Sequence, residues 1–298
     1  MHGAGELVGT EAGRIYVELE GKGPLVILAG GGPGVGHAHY HPWFSRLASS
    51  RTVAYVDYPG TGRSDSVPDP AAHTMERYAA ALEGVRLHVG AERTAMVALS
   101  FGGLPALACA LGYPESLGAL VLSNAQVSAA TWQEGNIDRV NDALREHYPE
   151  RWEELLELRA AGVRSLDPRY QRLFDDVLER LEWADAERRP QLERDDAEGM
   201  RFGVYAAVIG PDPEWEVSGT LAGFDPLPRL KELDMPVLVV AGRWDGLTTP
   251  RIARLTREAF NPDRARLAVL EHSAHRPWAE EPDAYFTLVE GFLDECGC

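Results

Sequence analysis

Residues 97–103 have the sequence VALSFGG, and they indicate the fold of the whole chain. The apolar run at 94–99 predicts a buried strand, and the apolar run at 104–111 predicts a helix. Ser100 follows the strand directly, and the two glycines after it allow strand and helix to pack closely. A Ser on such a turn is typical of a nucleophile elbow, although the usual first Gly of the pattern is Ala98 here. A Ser that only caps a helix is the alternative.

Strands and helices alternate on both sides of this turn. Apart from the run before Ser100, the pattern predicts an antiparallel hairpin at 7–20 and strands at 24–29, 52–56, 117–122, 235–242 and 265–270. Helical periodicity predicts helices at 75–89, 250–260 and 282–293, besides the one at 104–111. Strands that alternate with helices indicate a mostly parallel, doubly wound α/β sheet.

The alternation stops between residues 124 and 225, where the chain is charged and helical. Amphipathic helices are predicted at 137–147, 149–161, 168–183 and 190–209, with no strand between them. Four helices are too many for one crossover between neighbouring strands. We therefore predict a core formed by residues 1–123 and 226–298, with residues 124–225 inserted as a helical cap.

Composition and charge exclude several classes of protein. The chain has 298 residues and is 45% hydrophobic, as expected for a globular protein. Its formal net charge of −17 disfavours nucleic acid and anionic membranes as partners. The N-terminus lacks a signal-peptide pattern and no apolar run is long enough to span a membrane, so a cytoplasmic protein is expected. Cys109 is expected in the core, and Cys296 and Cys298 are a weak signal for metal or redox chemistry. No metal and no cofactor are predicted.

Three polar residues that follow predicted core strands occur in the order of a catalytic triad. Ser100, Asp245 and His275 occur in the Ser, acid, His order of the α/β-hydrolase fold. In that arrangement Ser100 attacks a carbonyl, His275 accepts its proton and Asp245 orients the imidazole. Asp245 as a simple turn residue and a surface-loop His275 are the alternatives, and His272 is the nearby rival for the base.

A glycine-rich loop follows the strand at 24–29. It is not a phosphate-binding P-loop, because no Lys-Ser/Thr pair follows it. Its exposed backbone N–H groups suit a developing oxyanion instead. We predict that the N–H groups of Gly32 and of Phe101, the residue after the nucleophile, form the oxyanion hole.

Several motifs, spread over most of the chain, resemble those of one enzyme family. They are Gly31-Gly32-Pro33-Gly34 with His37, Ser100-Phe101-Gly102-Gly103, a segment with Val204-Tyr205, Ile209-Gly210-Pro211, Glu214-Trp215 and Ser218-Gly219-Thr220, and Ser273-Ala274-His275 with Glu281-Pro282. Together they resemble the proline iminopeptidases of the serine α/β-hydrolase type, in their tricorn-interacting branch.

The resemblance implies removal of an N-terminal residue, often proline, from a short peptide or amide. It also implies that a cap carboxylate holds the free amine of the substrate, and Glu214 matches that residue; a solvated Glu is the alternative. Two positions depart from the family. Gly30 stands where the family loop begins with His, and Gly246 stands where a second amine-binding Glu follows the catalytic Asp.

These departures leave other functions open. The same triad would serve an esterase or lactonase acting on a small or specialised metabolite. A non-catalytic binding protein on the same fold is a third candidate, since fold alone does not determine function. For the first candidate, adding a carboxylate with Gly246→Glu is expected to favour free-amine substrates, provided that the side chain fits.

Overall fold

A computed structural model describes residues 5–185 and 199–298. In this part of the chain eight strands form one sheet in the order β1-β2-β4-β3-β5-β6-β7-β8. Their bounds are Glu6–Thr10 (β1), Gly13–Gly21 (β2), Leu25–Ala29 (β3), Thr52–Val56 (β4), Thr94–Leu99 (β5), Leu117–Ser123 (β6), Val237–Gly242 (β7) and Ala265–Leu270 (β8). β1, β2 and β4 pair antiparallel, and every other pairing is parallel. The predicted hairpin and the mostly parallel α/β sheet are confirmed.

Helices of the core cover both faces of the sheet. They are α1 (Met75–Val89), α2 (Gly103–Gly112), α9 (Pro250–Ala259), α10 (Pro277–Glu280) and α11 (Pro282–Glu295). β3 and β5, which lie at the centre of the sheet, are buried along their whole length. This burial explains their continuous apolar sequences, because parallel strands covered on both faces do not alternate.

The segment between β6 and β7 contains helices and no strand in its described part. Its α-helices are α3 (Ala129–Trp132), α4 (Arg139–His147), α5 (Pro149–Ala160), α6 (Pro168–Gln171), α7 (Val177–Glu182) and α8 (Phe202–Ile209). α4 to α7 share a small apolar core of their own, which also includes Leu247 from the loop after β7. Division of the chain into a core and a cap stays a prediction.

Two predicted helices of this segment differ from the structure. The helix expected at 168–183 is wrong as a single unit, because the chain breaks after a short 3₁₀ turn at Arg172–Phe174. Asp176 has a φ of 66°, a left-handed conformation that short polar residues tolerate better than most. The helix expected at 190–209 begins only at Phe202 within the described residues, and its predicted part at 190–198 lies outside them.

The parallel strands direct their carboxyl ends to one edge of the sheet, where the loops after β3, β5, β6, β7 and β8 meet. Ala29, the last residue of β3, pairs with Ala98 of β5, so the glycine-rich loop begins beside the Ser100 turn. β6 pairs with both β5 and β7, and β7 with β8. In the described ranges no helix is both long and apolar enough to cross a bilayer.

Candidate active site

The turn at Ser100 is sharp and tightly packed. Ser100 has a φ of 51°, which is unusual for a residue with a side chain and stores local strain. A Cβ on Gly102 would collide with the carbonyl oxygen of Ala29, and one on Gly103 with that of Gln126. Both positions therefore require glycine, and the turn presents Ser100 at the end of β5 with its side chain partly exposed.

A chain of hydrogen bonds joins Ser100, His275 and Asp245, the three catalytic residues predicted from the sequence. Ser100 Oγ lies 2.9 Å from His275 Nε2, and His275 Nδ1 lies 2.9 Å from Asp245 Oδ2. The rival His272 is exposed, and its backbone N–H donates to Glu281 instead. The geometry suits proton transfer from Ser100 to His275, with Asp245 holding the ring. The catalytic roles themselves stay a prediction.

The Asp245 carboxylate accepts hydrogen bonds at both oxygens. The backbone N–H groups of Leu247 and Thr248 donate to Oδ1 at 2.8 and 2.9 Å. Burial alone would raise the pKa of Asp245, but the adjoining His275 and the surrounding donors outweigh it and lower the pKa. Asp245 is therefore held as a carboxylate.

The same carboxylate influences His275. Burial acts to lower the pKa of His275, while the charge and the hydrogen bond of Asp245 act to raise it, and the net pKa is raised. An imidazole whose cation is stabilised in this way is suited to receive a proton from Ser100.

Asn124 is a residue of this site that the sequence analysis missed. It follows β6 directly, has a φ of 45°, and donates from Nδ2 to Asp245 Oδ2 at 2.6 Å. The same amide group donates to the carbonyl oxygen of Ala274 at 3.1 Å. Asn124 lies two residues beyond the predicted strand at 117–122, and no motif marked it for this role.

The glycine-rich loop lies against Tyr40. The Gly31 N–H donates to the Tyr40 hydroxyl at 2.5 Å, and a Cβ on Gly30 would collide with the Tyr40 ring. The structure thus explains Gly30, because the Tyr40 ring occupies the space that a side chain there would need. Because the Gly31 N–H already donates to Tyr40, the next backbone N–H of the loop that could bind an oxyanion is that of Gly32. The oxyanion-hole roles of Gly32 and Phe101 stay a prediction.

Glu214 lies on the segment between β6 and β7, half-buried beside Tyr205. The Tyr205 hydroxyl donates to Glu214 Oε1 at 3.2 Å. Burial raises the pKa of Glu214 to about 7, although hydrogen bonds from Tyr205 and Gln171 oppose the shift. Among the described residues, no hydrogen bond joins its carboxylate to Ser100, Asp245 or His275. Its neighbour Asp212, by contrast, forms an ion pair with Arg159 at 2.9 Å.

The end of α7 contacts the loops that carry Asp245 and His275. The carbonyl oxygen of Leu181 accepts from the Gly246 N–H at 2.9 Å, and that of Glu182 accepts from the His275 N–H at 3.0 Å. A Cβ on Gly246 would lie 2.6 Å from Leu181 Cδ2 and 3.0 Å from Leu181 Cα. The side chain that Gly246 lacks therefore has no space, because Leu181 fills it. Gly246→Glu alone does not fit this backbone.

One group of potential metal ligands exists in the described residues. Glu18, His37 and His41 are buried, and one ligand atom of each lies within 4.8 Å of the others. They belong to β2 and to the loop after β3 and are separate from the Ser100–His275–Asp245 chain.

Comparisons with known proteins agree with the resemblance seen in the sequence. A proline iminopeptidase of Clostridioides difficile (strain 630) is 27% identical over 294 residues, covering 92% of this chain and 91% of the relative. A proline iminopeptidase of Lactobacillus delbrueckii subsp. bulgaricus is 29% identical over 295 residues, covering 94% and 92%. The resemblance to proline iminopeptidases is confirmed.

Solved structures have the same fold. The crystal structure of the proline iminopeptidase of Mycobacterium smegmatis superposes with a TM-score of 0.77 at 25% identity, covering 98% of each chain. That of VinJ superposes with a TM-score of 0.80 at 24% identity, covering 99% of this chain and 100% of VinJ, and supports the fold alone. The family model for the alpha/beta hydrolase fold matches residues 24–282, and the chain belongs to this family.

Proposed function

We propose that the protein is a serine hydrolase that cleaves a small amide or peptide bond through an acyl-enzyme, as a proline iminopeptidase does. The observation that carries the proposal is the pair of 2.9 Å contacts from Ser100 through His275 to Asp245. Similarity to proline iminopeptidases over more than nine-tenths of the chain supports an amide as the bond cleaved.

The mechanism follows from these contacts. Ser100 Oγ attacks the carbonyl carbon while its proton passes to His275 Nε2, and Asp245 stabilises the imidazolium. The N–H groups of Gly32 and Phe101 receive the negative oxygen of the tetrahedral intermediate. His275 then protonates the leaving nitrogen, which departs and leaves an ester on Ser100. Water, deprotonated by His275, attacks this ester; the imidazolium then returns the proton to Ser100 Oγ as the bond between Oγ and the acyl carbon breaks and the acid leaves.

Glu214 is proposed to hold the free amine of the substrate. Its carboxylate faces a hydroxyl rather than a cation, and its pKa near 7 reflects a buried charge that lacks a strong partner. A substrate ammonium would supply that partner and favour the ionised carboxylate. Glu214 would then bind the substrate amine alone, whereas the proline iminopeptidase resemblance implies two carboxylates for that role.

Leu181 favours a second candidate, an esterase or lactonase. Its apolar side chain fills the space beside Gly246, where a second amine-binding carboxylate is expected from the family resemblance. An apolar surface there suits a neutral acyl group better than an ammonium.

Matched substrates distinguish the two candidates. Prolyl and alanyl anilides are compared with their N-acetylated counterparts and with simple esters, in wild type, Glu214→Gln and the exposed control Glu216→Gln. An aminopeptidase is expected to prefer free amines and to lose roughly 30-fold or more in kcat/KM on them in Glu214→Gln, since breaking a desolvated charge pair typically costs about 2–5 kcal/mol. Equal losses on free and acetylated substrates, or cleavage of esters with no detectable cleavage of any anilide by wild type, would favour the esterase or lactonase.

A further inference from the structure

Glu214 lies outside the helices, and side chains from other parts of the chain hold its backbone. Its N–H donates to Ser165 Oγ at 3.2 Å, and its carbonyl oxygen accepts from Asn141 Nδ2 at 2.8 Å. Ser165 is in the loop between α5 and α6, whereas Asn141 is on α4. Both polar groups of the Glu214 backbone are therefore bonded to side chains.

Ser165 is fully buried, and Asp212 holds it in place. The Ser165 N–H donates to Asp212 Oδ1 at 3.1 Å, and the Ser165 hydroxyl donates to the same oxygen. Because the hydroxyl proton is directed at Asp212, the lone pairs of Oγ remain available for the Glu214 N–H. A hydroxyl that donates to a carboxylate also becomes a better acceptor. Ser165 thus connects the Asp212 carboxylate to the backbone of Glu214.

Arg159 anchors Asp212 on its other side. Arg159 Nη1 and Nη2 donate to the two carboxylate oxygens of Asp212 at 3.2 and 2.9 Å, and the two side chains are 16% and 11% exposed. The Arg159 guanidinium also lies over Trp215, 3.8 Å from the centre of the ring. Arg159 therefore contacts residues on both sides of Glu214 in the sequence. Such an ion pair resists rearrangement, since separating it would leave a buried charge without a partner.

The contacts of the Glu214 carboxylate are weaker than those of its backbone. The Tyr205 hydroxyl donates to it at 3.2 Å, and Gln171 is a second neutral hydrogen-bond partner. Neutral partners hold a carboxylate less firmly than charged ones do. The fixed backbone therefore sets the position of this carboxylate, and a binding group must be placed to within about 0.5 Å of its productive geometry.

We propose that Ser165, held by Asp212, is a positioning residue for the binding of the substrate amine. It acts through the backbone of Glu214 and does not itself contact the substrate. The inference rests on the proposed amine-binding role of Glu214 and adds to it the residues that set the position of the carboxylate. A carboxylate that is already in place loses little conformational freedom when the ammonium binds, which strengthens binding.

Kinetics on a prolyl anilide test the proposal, with the reaction of an amine-free fluorophosphonate at Ser100 as the reference. The reference rate reports the reactivity of Ser100 without any contribution from the amine. In Ser165→Ala, the ratio of kcat/KM on the anilide to the labelling rate is expected to fall roughly 3- to 10-fold, as is typical of one lost hydrogen bond. The fall is expected mainly through a higher KM. A general loss of structure would instead lower both rates together.

A second variant and two matched controls accompany this measurement. Asp212→Asn keeps the size of the side chain and is expected to lower the ratio at least as much as Ser165→Ala does. Ser116→Ala is the control for Ser165→Ala, since Ser116 is also buried and its hydroxyl bonds to Glu83. Glu83→Gln is the control for Asp212→Asn, because it breaks a similarly buried ion pair, with Arg86. Both controls are expected to keep the wild-type ratio.

Glu214→Gln separates this inference from the function on which it rests. Adding Ser165→Ala to Glu214→Gln is expected to leave the ratio at the value that Glu214→Gln alone gives. An unchanged ratio in Glu214→Gln would overturn the amine-binding role and this inference together. A ratio that falls in Glu214→Gln but in neither Ser165→Ala nor Asp212→Asn would overturn the positioning role alone, as would an equal further fall in the double variant.

Discussion

The Asn124 side-chain amide donates to the same oxygen of Asp245 that accepts from His275, at 2.6 and 2.9 Å. Asp245 therefore depends on a residue from the loop after β6, which no known motif in the sequence marked. The contact places Asn124 in direct support of the carboxylate that orients His275, and we expect it to act as a positioning residue.

Asn124→Gly tests this support, because glycine keeps the positive φ and removes only the amide. Loss of a hydrogen bond to a charged group typically costs about 1.5–3 kcal/mol, so kcat/KM is expected to fall roughly 10-fold or more. Without this donor the charge of Asp245 is less compensated, so it is expected to raise the pKa of His275 further and to move the acidic limb of kcat/KM to higher pH. Asn261→Gly, far from the site, is the control. An unchanged pH profile in Asn124→Gly would contradict the positioning role.

The ion pair between Glu182 and Arg276 is a second support for His275. Glu182 Oε2 lies 2.8 Å from Arg276 Nη2, and both side chains are about four-fifths buried. Glu182 contributes to the raised pKa of His275, so Glu182→Gln is expected to lower that pKa. Because His275 must be neutral to accept the proton, the acidic limb of kcat/KM is expected to move to lower pH. Glu153→Gln, exposed on α5, should leave the limb in place; a limb that moves upward in Glu182→Gln would contradict the account.

Glu214 makes stability depend on pH in a defined direction. Its pKa is raised from 4.5 to about 7 in the folded protein, so the folded state binds more protons than the unfolded state between these values. Stability from this group is therefore full below about pH 4.5 and is lost as the pH rises through 7. Glu214→Gln lacks this loss.

Thermal and urea unfolding at pH 5 and pH 8 measure the effect. At pH 8 the Gln variant is expected to be more stable than wild type by roughly 1–2 kcal/mol, a value reduced for the partial exposure of the side chain. The advantage should shrink at pH 5, and Glu216→Gln should show none. A variant less stable than wild type at pH 8 would mean that Glu214 is ionised and well paired.

Leu181 and Gly246 are expected to be energetically coupled. Gly246→Glu alone should destabilise the protein by about 1–3 kcal/mol, because the new side chain meets Leu181. Leu181→Ala removes the nearest clashing atom, Cδ2 at 2.6 Å, and leaves Cβ at 2.9 Å and Cα at 3.0 Å. The double variant should therefore recover part of the lost stability and be more stable than the sum of the single changes predicts. It should also cleave free-amine substrates faster, relative to acetylated ones, than Leu181→Ala does. Pairing Gly246→Glu with Leu178→Ala, exposed on the same helix, is the control, and additive effects in the Leu181 pair would refute the coupling.

Much of the fold could be predicted from the sequence because it rests on local patterns. The continuous apolar runs of β3 and β5, the helical period of α1 and the glycines after Ser100 each reflect a single physical constraint. The order of Ser100, Asp245 and His275 along the chain then indicated which loops would meet. Helix breaks such as the one at Asp176 depend on packing, and the periodicity of 168–183 did not reveal it.

The parts of the site that were missed depend on contacts between distant segments. Asn124 is a common residue after a strand, and only its contact with Asp245, 121 positions away, reveals its role. In the sequence, Gly30 and Gly246 stand where the family has His and Glu. In the structure, Tyr40 occupies the space beside Gly30 and Leu181 the space beside Gly246.

Labelling with a serine-directed fluorophosphonate tests the central claim, that Ser100 is the nucleophile activated by His275. Wild type is expected to gain one phosphonate per chain, mapped by peptide mass spectrometry to Ser100, with complete loss of hydrolysis. Ser100→Ala is expected to stay unlabelled and to lose several orders of magnitude in turnover while remaining folded, and His275→Gln is expected to label far more slowly than wild type. A label on another residue, or near-normal hydrolysis by Ser100→Ala, would contradict the account.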